Sequence, residues 1–129
     1  MRTVFADTFP WIALWHPKDA WHERAKEYLD TYSGRLVTTA WVLMELGMGW
    51  RGCPKVGRNS WPCADLRTDP DVSIVENEPK LVAKSVALYG ARLDKPWSLT
   101  DCTSFVVMQK QGILAALTGD HHLDRKSVV

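Results

Sequence analysis

The sequence predicts an α/β fold with a central parallel sheet, built by a single domain that spans residues 1–129. Two observations support this prediction. Short apolar runs, which are typical of buried strands, alternate along the chain with segments whose apolar residues recur at helical spacing. The composition, with 46% hydrophobic and 24% charged residues, is that of an ordinary globular domain and excludes a disordered or fibrous chain.

The amino-terminal part of the chain is predicted to contain two strands separated by helices. Uninterrupted apolar residues predict strands at 4–6 and 36–38, with a short helical turn at 10–14 after the first. Pro17 opens the first long helix, and a Ser-Gly pair ends it before the second strand. The residues of this helix that recur at helical spacing are Trp21, Ala25, Tyr28 and Leu29.

The middle of the chain combines one helix with a long stretch of turn-forming residues. Thr39 is a suitable N-cap for the helix, which carries Trp41, Val42, Glu45 and Leu46. From Gly47 to Pro70 the chain contains seven Gly and Pro residues and no sustained periodicity. We therefore expect this segment to be largely loop.

A strand and a helix follow the glycine- and proline-rich segment. Val72–Val75 is predicted to be the strand, and Pro79 leads into the helix. The apolar face of that helix is predicted to consist of Leu81, Val82, Val86 and Tyr89.

The last predicted elements are one helix and one strand. Ser98 and Asp101 have the spacing of a capping box, which begins a helix over 102–110. Gly112 ends that helix, and the apolar run at 113–117 predicts a final strand.

Charge and cysteine content narrow the class of protein. The 16 Lys and Arg residues against 15 Asp and Glu give a net charge of +1, which disfavours a protein that binds nucleic acid by bulk charge alone. The three cysteines are odd in number and lack close pairing, so we expect reduced thiols and a cytoplasmic location. Neither a signal peptide nor an apolar run of membrane-spanning length is visible, so no membrane partner is expected.

Four acids are candidates for a shared site. Asp7 and Asp120 directly follow predicted strands, and in parallel sheets ligands bind outside the carboxyl ends of the strands. Asp101, in the first turn of its helix, and Glu45, among apolar residues, would join them if their helices face the same crevice. Alternatively, each acid is an ordinary surface group, and Asp101 serves only as a helix cap that contributes about 1 kcal/mol.

Converging carboxylates raise one another's pKa and call for a compensating cation. Oxygen ligands of this kind suit Mg²⁺, with Mn²⁺ as the alternative ion. Such an ion can polarise a phosphodiester and favour attack by water, so the chemistry implied is hydrolysis of a phosphate ester.

The order of these acids and the residues around them resemble a PIN domain, specifically a VapC-type toxin of a type II toxin-antitoxin system. Each acidic motif alone is weak, but the ordered set with the central WSLTDC run is highly specific. The motifs that carry the resemblance are FADT at 5–8, HPKDAWH at 16–22, TTAWVLMEL at 38–46, DKPWSLTDCTSFVVM at 94–108 and LTGDHHL at 117–123.

The resemblance implies an α/β/α sandwich and a magnesium-dependent endoribonuclease that hydrolyses RNA phosphodiester bonds. Asp7, Glu45, Asp101 and Asp120 would form the acidic metal site, with Thr8 and Thr118 as supporting hydroxyls. The implied partners are the RNA substrate and a cognate antitoxin, in a homodimer or a toxin-antitoxin hetero-oligomer. If the metal neutralises these four acids, the remaining 11 acids face 16 basic residues, which suits RNA better than the total charge suggests.

Two segments depart from the family pattern and leave an alternative open. The family continues a helix where this chain has the Gly- and Pro-rich stretch 48–65, and residues 124–129 replace its usual final strand. The alternative is a catalytically weak PIN-like module that binds an antitoxin or RNA without cleaving. A haloacid-dehalogenase-type phosphatase is disfavoured because the segment after Asp7 lacks the second aspartate of that chemistry.

Two tryptophans and two histidines are not expected to carry the chemistry. Trp11 and Trp15 lie four residues apart, so we expect them in the core or at a partner interface rather than as an RNA stacking platform. His121 and His122 directly follow Asp120, where they could bind a transition metal or act as a general base. A metal-ligand role is disfavoured, because a carboxylate-rich site selects hard cations, which imidazole binds poorly.

Overall fold

The structure, a computed structural model, describes residues 2–15, 18, 20–50 and 63–117. Its helices and strands alternate along the chain, as the sequence predicts. In chain order they are β1 (Thr3–Ala6), α1 (Thr8–Trp15), α2 (His22–Thr31), β2 (Arg35–Thr39), α3 (Ala40–Trp50), α4 (Cys63–Thr68), β3 (Val72–Val75), α5 (Pro79–Ala91), α6 (Leu99–Gln111) and β4 (Ala116–Leu117).

The four strands form one sheet with the order β3-β2-β1-β4, and every described pairing is parallel. Thr3 lies opposite Arg35 in the β1–β2 pair, and Phe5 lies opposite Ala116 in the β1–β4 pair. This confirms the predicted parallel sheet. Because all strands run the same way, their carboxyl ends lie at one edge of the sheet and their amino ends at the other.

Helices flank the sheet and give the expected α/β/α arrangement, with the core around β1. Val4, Phe5 and Ala6 are fully buried, which explains why β1 is an uninterrupted apolar run rather than an alternating one. Trp11 of α1 is also buried, and its ring stacks on that of Trp15 at a centroid distance of 6.1 Å. The packing role expected for these two tryptophans is therefore the one that the structure shows.

The prediction of a largely irregular segment from Gly47 to Pro70 is wrong at both of its ends. Helix α3 continues to Trp50, and α4 occupies Cys63–Thr68. A glycine in a helix costs roughly 1 kcal/mol relative to alanine, so the burial of Val42 and Leu46 on α3 can outweigh this penalty at Gly47. Residues 51–62, and with them most of the departure at 48–65, lie outside the described part of the chain.

Two further helix predictions need correction. Helix α2 begins at His22, so Trp21 precedes it instead of occupying its apolar face, and Pro17 lies outside the described residues. In α5 the buried residues are Leu81 and Ser85. The predicted face of this helix included Val86 and Tyr89, whose exposed fractions are 52% and 43%.

The predicted last strand, at 113–117, is shorter in the structure. Only Ala116 and Leu117 pair as strand β4, whereas Ile113 to Ala115 connect it to α6. The amide of Phe5 nevertheless donates to the carbonyl of Ala115 at 3.0 Å. The departure at 124–129 falls beyond the described residues.

None of the helices in the described ranges is long and apolar enough to cross a membrane. Cys102 is a free thiol and is buried in α6.

Gly34 is predicted to tolerate alanine poorly, whereas Gly90 accepts it. A Cβ on Gly34 would lie 2.5 Å from the Arg2 carbonyl oxygen, but a Cβ on Gly90 would meet no atom within 4 Å. We expect Gly34→Ala to reduce the free energy of unfolding by about 1–3 kcal/mol because the backbone must shift. Gly90→Ala, in α5, should increase it by up to about 1 kcal/mol.

Urea unfolding of the two variants measures this difference. Equal stability of Gly34→Ala and the unmodified chain would contradict the close approach of Gly34 to the Arg2 carbonyl.

Candidate active site

Asp7 lies directly after β1, at the carboxyl edge of the sheet. Its amide donates to the Leu117 carbonyl at 3.2 Å, which continues the β1–β4 pairing by one residue. The residue is only 5% exposed. The three residues before it are apolar and fully buried. Asp7 is therefore the first residue after the buried strand that can carry a charge. Thr8 begins α1 immediately afterwards and is half-buried.

Glu45 reaches the same region through β2, the neighbour of β1. The buried Thr39 ends β2, and its Oγ1 accepts a hydrogen bond from the Val42 amide at 3.1 Å. This confirms the predicted N-cap and fixes the start of α3 at the carboxyl end of β2. Glu45 lies in the second turn of α3, is half-buried, and forms no hydrogen bond or ion pair with another described residue.

Asp101 is held by the predicted capping box at the start of α6. The Ser98 amide donates to Asp101 Oδ2 at 2.9 Å, and the Asp101 amide donates to Ser98 Oγ at 3.0 Å. Asp101 is 9% exposed, so its carboxylate is both buried and oriented. Helix α6 packs against α3, the helix that carries Glu45.

The loop that leads into α6 is tied by Arg92, a residue that sequence reasoning did not select. Its guanidinium donates to both carboxylate oxygens of Asp94, at 3.1 and 3.3 Å, and lies 5.3 Å from the centre of the Trp97 ring. The Trp97 ring in turn meets Phe105 of α6 edge-on, at 4.8 Å between centroids. These contacts hold Asp94 and Trp97 in the loop that precedes the capping box. The sequence signal that could have identified Arg92 is its position two residues before Asp94.

Two titratable groups near the site have shifted pKa values. The hydrogen bond from Arg92 lowers the pKa of the Asp94 carboxyl. Burial, and then the negative charge of Asp101, raise the pKa of the Cys102 thiol. The thiol beside Asp101 is therefore protonated at neutral pH.

Asp7 and the start of the Glu45 helix lie at the carboxyl edge of the sheet, and Asp101 lies on α6, which packs against that helix. Within the described ranges, however, no group of three or more Asp, Glu, His or Cys side chains is close enough to hold a metal ion. The fourth acid, Asp120, lies outside those ranges, as do Thr118, His121 and His122.

The capping box predicts different effects of substitutions at its two positions. Ser98→Ala removes the acceptor of the Asp101 amide and should lower the free energy of unfolding by about 1 kcal/mol. Asp101→Asn keeps a carbonyl oxygen that can accept a hydrogen bond from the Ser98 amide. This substitution should therefore lower the free energy of unfolding by less than Ser98→Ala does. Urea unfolding tests both, and an Asp101→Asn variant that fails to fold would contradict this expectation.

Comparisons with known proteins agree with the geometry. No protein-family model matches the chain, and no curated protein matches it. Among solved structures the chain is similar to the crystal structure of VapC20 of Mycobacterium tuberculosis, a toxin that cleaves the sarcin-ricin loop. The match has a TM-score of 0.81 and 27% sequence identity, and it covers 93% of this chain and 92% of the other. The chain therefore shares the fold of this VapC toxin, in agreement with the resemblance to VapC-type PIN domains that the sequence indicates.

Proposed function

We propose that this protein is an endoribonuclease that acts as the toxin of a type II toxin-antitoxin pair. The observation that carries the proposal is the end-to-end likeness to VapC20, a toxin that cleaves an RNA loop. The likeness covers nearly the whole of both chains. In the structure, Asp7 follows β1 and Glu45 lies on α3 at the carboxyl edge, and Asp101 lies on α6, which packs against α3.

The donor set fits a hard divalent cation in its chemistry. Asp7 and Asp101 are both less than one-tenth exposed, and a bound divalent cation would offset the cost of burying two ionised carboxylates. All candidate ligands are carboxylate oxygens, the type that Mg²⁺ and Mn²⁺ bind. The three described acids do not form a complete site by themselves, so we assign Asp120 as the fourth ligand.

Each residue has a separate task in this proposal. Asp7, Asp101 and Asp120 would hold the ion, with Glu45 joining directly or through water, and the capping box keeps Asp101 in one orientation. When bound, Mg²⁺ would polarise the scissile phosphodiester and favour ionisation of the attacking water. Thr8 and Thr118 would orient water or a neighbouring carboxylate through their hydroxyls.

A second candidate function is an RNA- or antitoxin-binding module that does not cleave. The observation that favours it is the lack of a compact three-ligand group among the acids that the structure describes. The two functions differ in one property, since only the nuclease produces metal-dependent cleavage products.

The exposed apolar side chains support a protein partner. Met48 of α3 is 77% exposed, and Val86, Tyr89 and Leu93 are exposed along α5 and just after it. Val86 and Tyr89, three residues apart, lie on one face of α5, and Leu93 follows the end of the helix. An antitoxin or a second copy of the chain would cover such a surface, and we propose both partners, in the cytoplasm, as part of the toxin function.

Asp7→Asn is predicted to abolish metal-dependent RNA cleavage without unfolding the protein. The substitution keeps the size of the side chain but removes the charge that holds the ion, so the cleavage rate should fall by about 100-fold or more. The matched control is Asp30→Asn, because Asp30 is an exposed acid on α2. A structured RNA that contains a sarcin-ricin loop, incubated with and without Mg²⁺, provides the assay.

Undiminished cleavage by Asp7→Asn would contradict the proposed site. Binding of the RNA without any Mg²⁺-dependent product, in the unmodified chain, would favour the binding module.

A further inference from the structure

A cavity of about 500 Å³ lies at the amino ends of β1 and β2, at the other edge of the sheet from Asp7. We call it the amino-end cavity. Its polar lining residues are Arg2, Thr3, Arg35, Ser73 and Gln111, and none of the described residues that line it is acidic. Its volume is within the usual range of ligand pockets, roughly 300–1,000 Å³.

Hydrogen bonds hold the backbones of Arg2 and Arg35 next to each other at the mouth of the cavity. The Arg35 amide donates to the Arg2 carbonyl at 2.8 Å, and the Tyr32 hydroxyl lies 3.0 Å from the carbonyl oxygens of both arginines. Burial raises the pKa of the Tyr32 phenol, so the hydroxyl keeps the proton that it donates. Gly34 permits this close arrangement, because a Cβ there would lie 2.5 Å from the Arg2 carbonyl oxygen and 2.7 Å from the Tyr32 hydroxyl.

Neither guanidinium of the amino-end cavity is neutralised by a described carboxylate. The ion pairs among the described residues join Arg67 to Glu76 and Arg92 to Asp94. Arg2 lies over the Tyr32 ring at 5.9 Å from its centre. Asp71, whose carbonyl accepts from the Leu36 amide next to Arg35, forms no ion pair with Arg35. The cavity therefore combines two positive charges with neutral hydroxyl and amide groups.

The positive surface continues beyond the cavity. Gln111 also lines a smaller cavity of about 240 Å³ between α5 and α6, together with Lys84 and Lys110. Glu76 and Glu78 line this second cavity as well, and Glu76 is paired with Arg67. Lys110 of α6 thus adds a positive charge next to Gln111, and Lys84 adds one from α5.

We propose that the amino-end cavity binds a phosphodiester group of RNA. Guanidiniums donate paired hydrogen bonds to phosphate oxygens, and both Arg2 and Arg35 line the cavity. The hydroxyls of Thr3 and Ser73 and the Gln111 amide are neutral groups of the kind that contact nucleic-acid backbones. Asp7 is five residues further along β1 than Arg2, or about 16 Å at roughly 3.3 Å per residue. The bound phosphate is therefore remote from the scissile one.

The choice of RNA rests on the proposed function, but the test is independent of cleavage. Fluorescence anisotropy of a labelled single-stranded RNA, measured in EDTA over a range of salt concentrations, reports binding alone. The double variant Arg2→Gln/Arg35→Gln should bind about tenfold more weakly at low salt. The slope of log K against log salt should become shallower by about 0.7, the value for one lost phosphate contact on a single strand. Arg24→Gln, at an exposed arginine of α2 that lines neither cavity, is the arginine control.

A second pair of variants separates local charge from net charge. Gln111→Glu places a carboxylate in the amino-end cavity and should weaken RNA binding, whereas Gln109→Glu changes the net charge equally on the same helix but does not line this cavity. Urea unfolding checks that each variant is folded.

RNA affinity unchanged in both Arg2→Gln/Arg35→Gln and Gln111→Glu would overturn the proposal. The proposal would also be overturned if these variants weakened the binding of polyglutamate but not that of RNA. The cavity would then recognise an acidic peptide. A chain that shows the expected RNA binding but cleaves no RNA would contradict only the proposed function.

Discussion

The position of β1 between β2 and β4 is the constraint on which the rest of the structure depends. A strand that is paired on both sides and covered on both faces must be apolar, and Val4, Phe5 and Ala6 are fully buried. Charge can enter this segment only where the strand ends, which places Asp7 at the carboxyl edge. The parallel pairing of β2 brings the start of α3, and with it Glu45, to the same edge.

Asp101 combines a structural role with its proposed chemical one. Its carboxylate accepts the Ser98 amide and so stabilises the first turn of α6, and the same hydrogen bond fixes the direction in which the group points. The loop before it is held by Arg92, Asp94 and Trp97. A capping acid held in this way needs little reorganisation to serve as a ligand, so the two roles support each other.

Much of the fold could be predicted from the sequence because its signals are local. The apolar run of β1, the Thr39 cap, the capping box and the turn at Gly112 each depend on a few neighbouring residues. The helical ends of the 47–70 segment were missed because packing outweighs helix propensity there. The predicted apolar face of α5 was wrong because the spacing of apolar residues does not reveal which side of the helix packs against another element. For the site, the order of motifs indicated the acids, but Arg92 and the amino-end cavity depend on contacts that spacing does not reveal.

Mn²⁺ binding followed by electron paramagnetic resonance tests the central claim, that the acids at the carboxyl edge form a site for a divalent cation. The account predicts that the unmodified chain binds Mn²⁺ and that Asp7→Asn and Asp101→Asn each weaken this affinity by about tenfold or more, while Asp30→Asn leaves it unchanged. Equal Mn²⁺ affinity in all four proteins, or no binding by the unmodified chain, would contradict it.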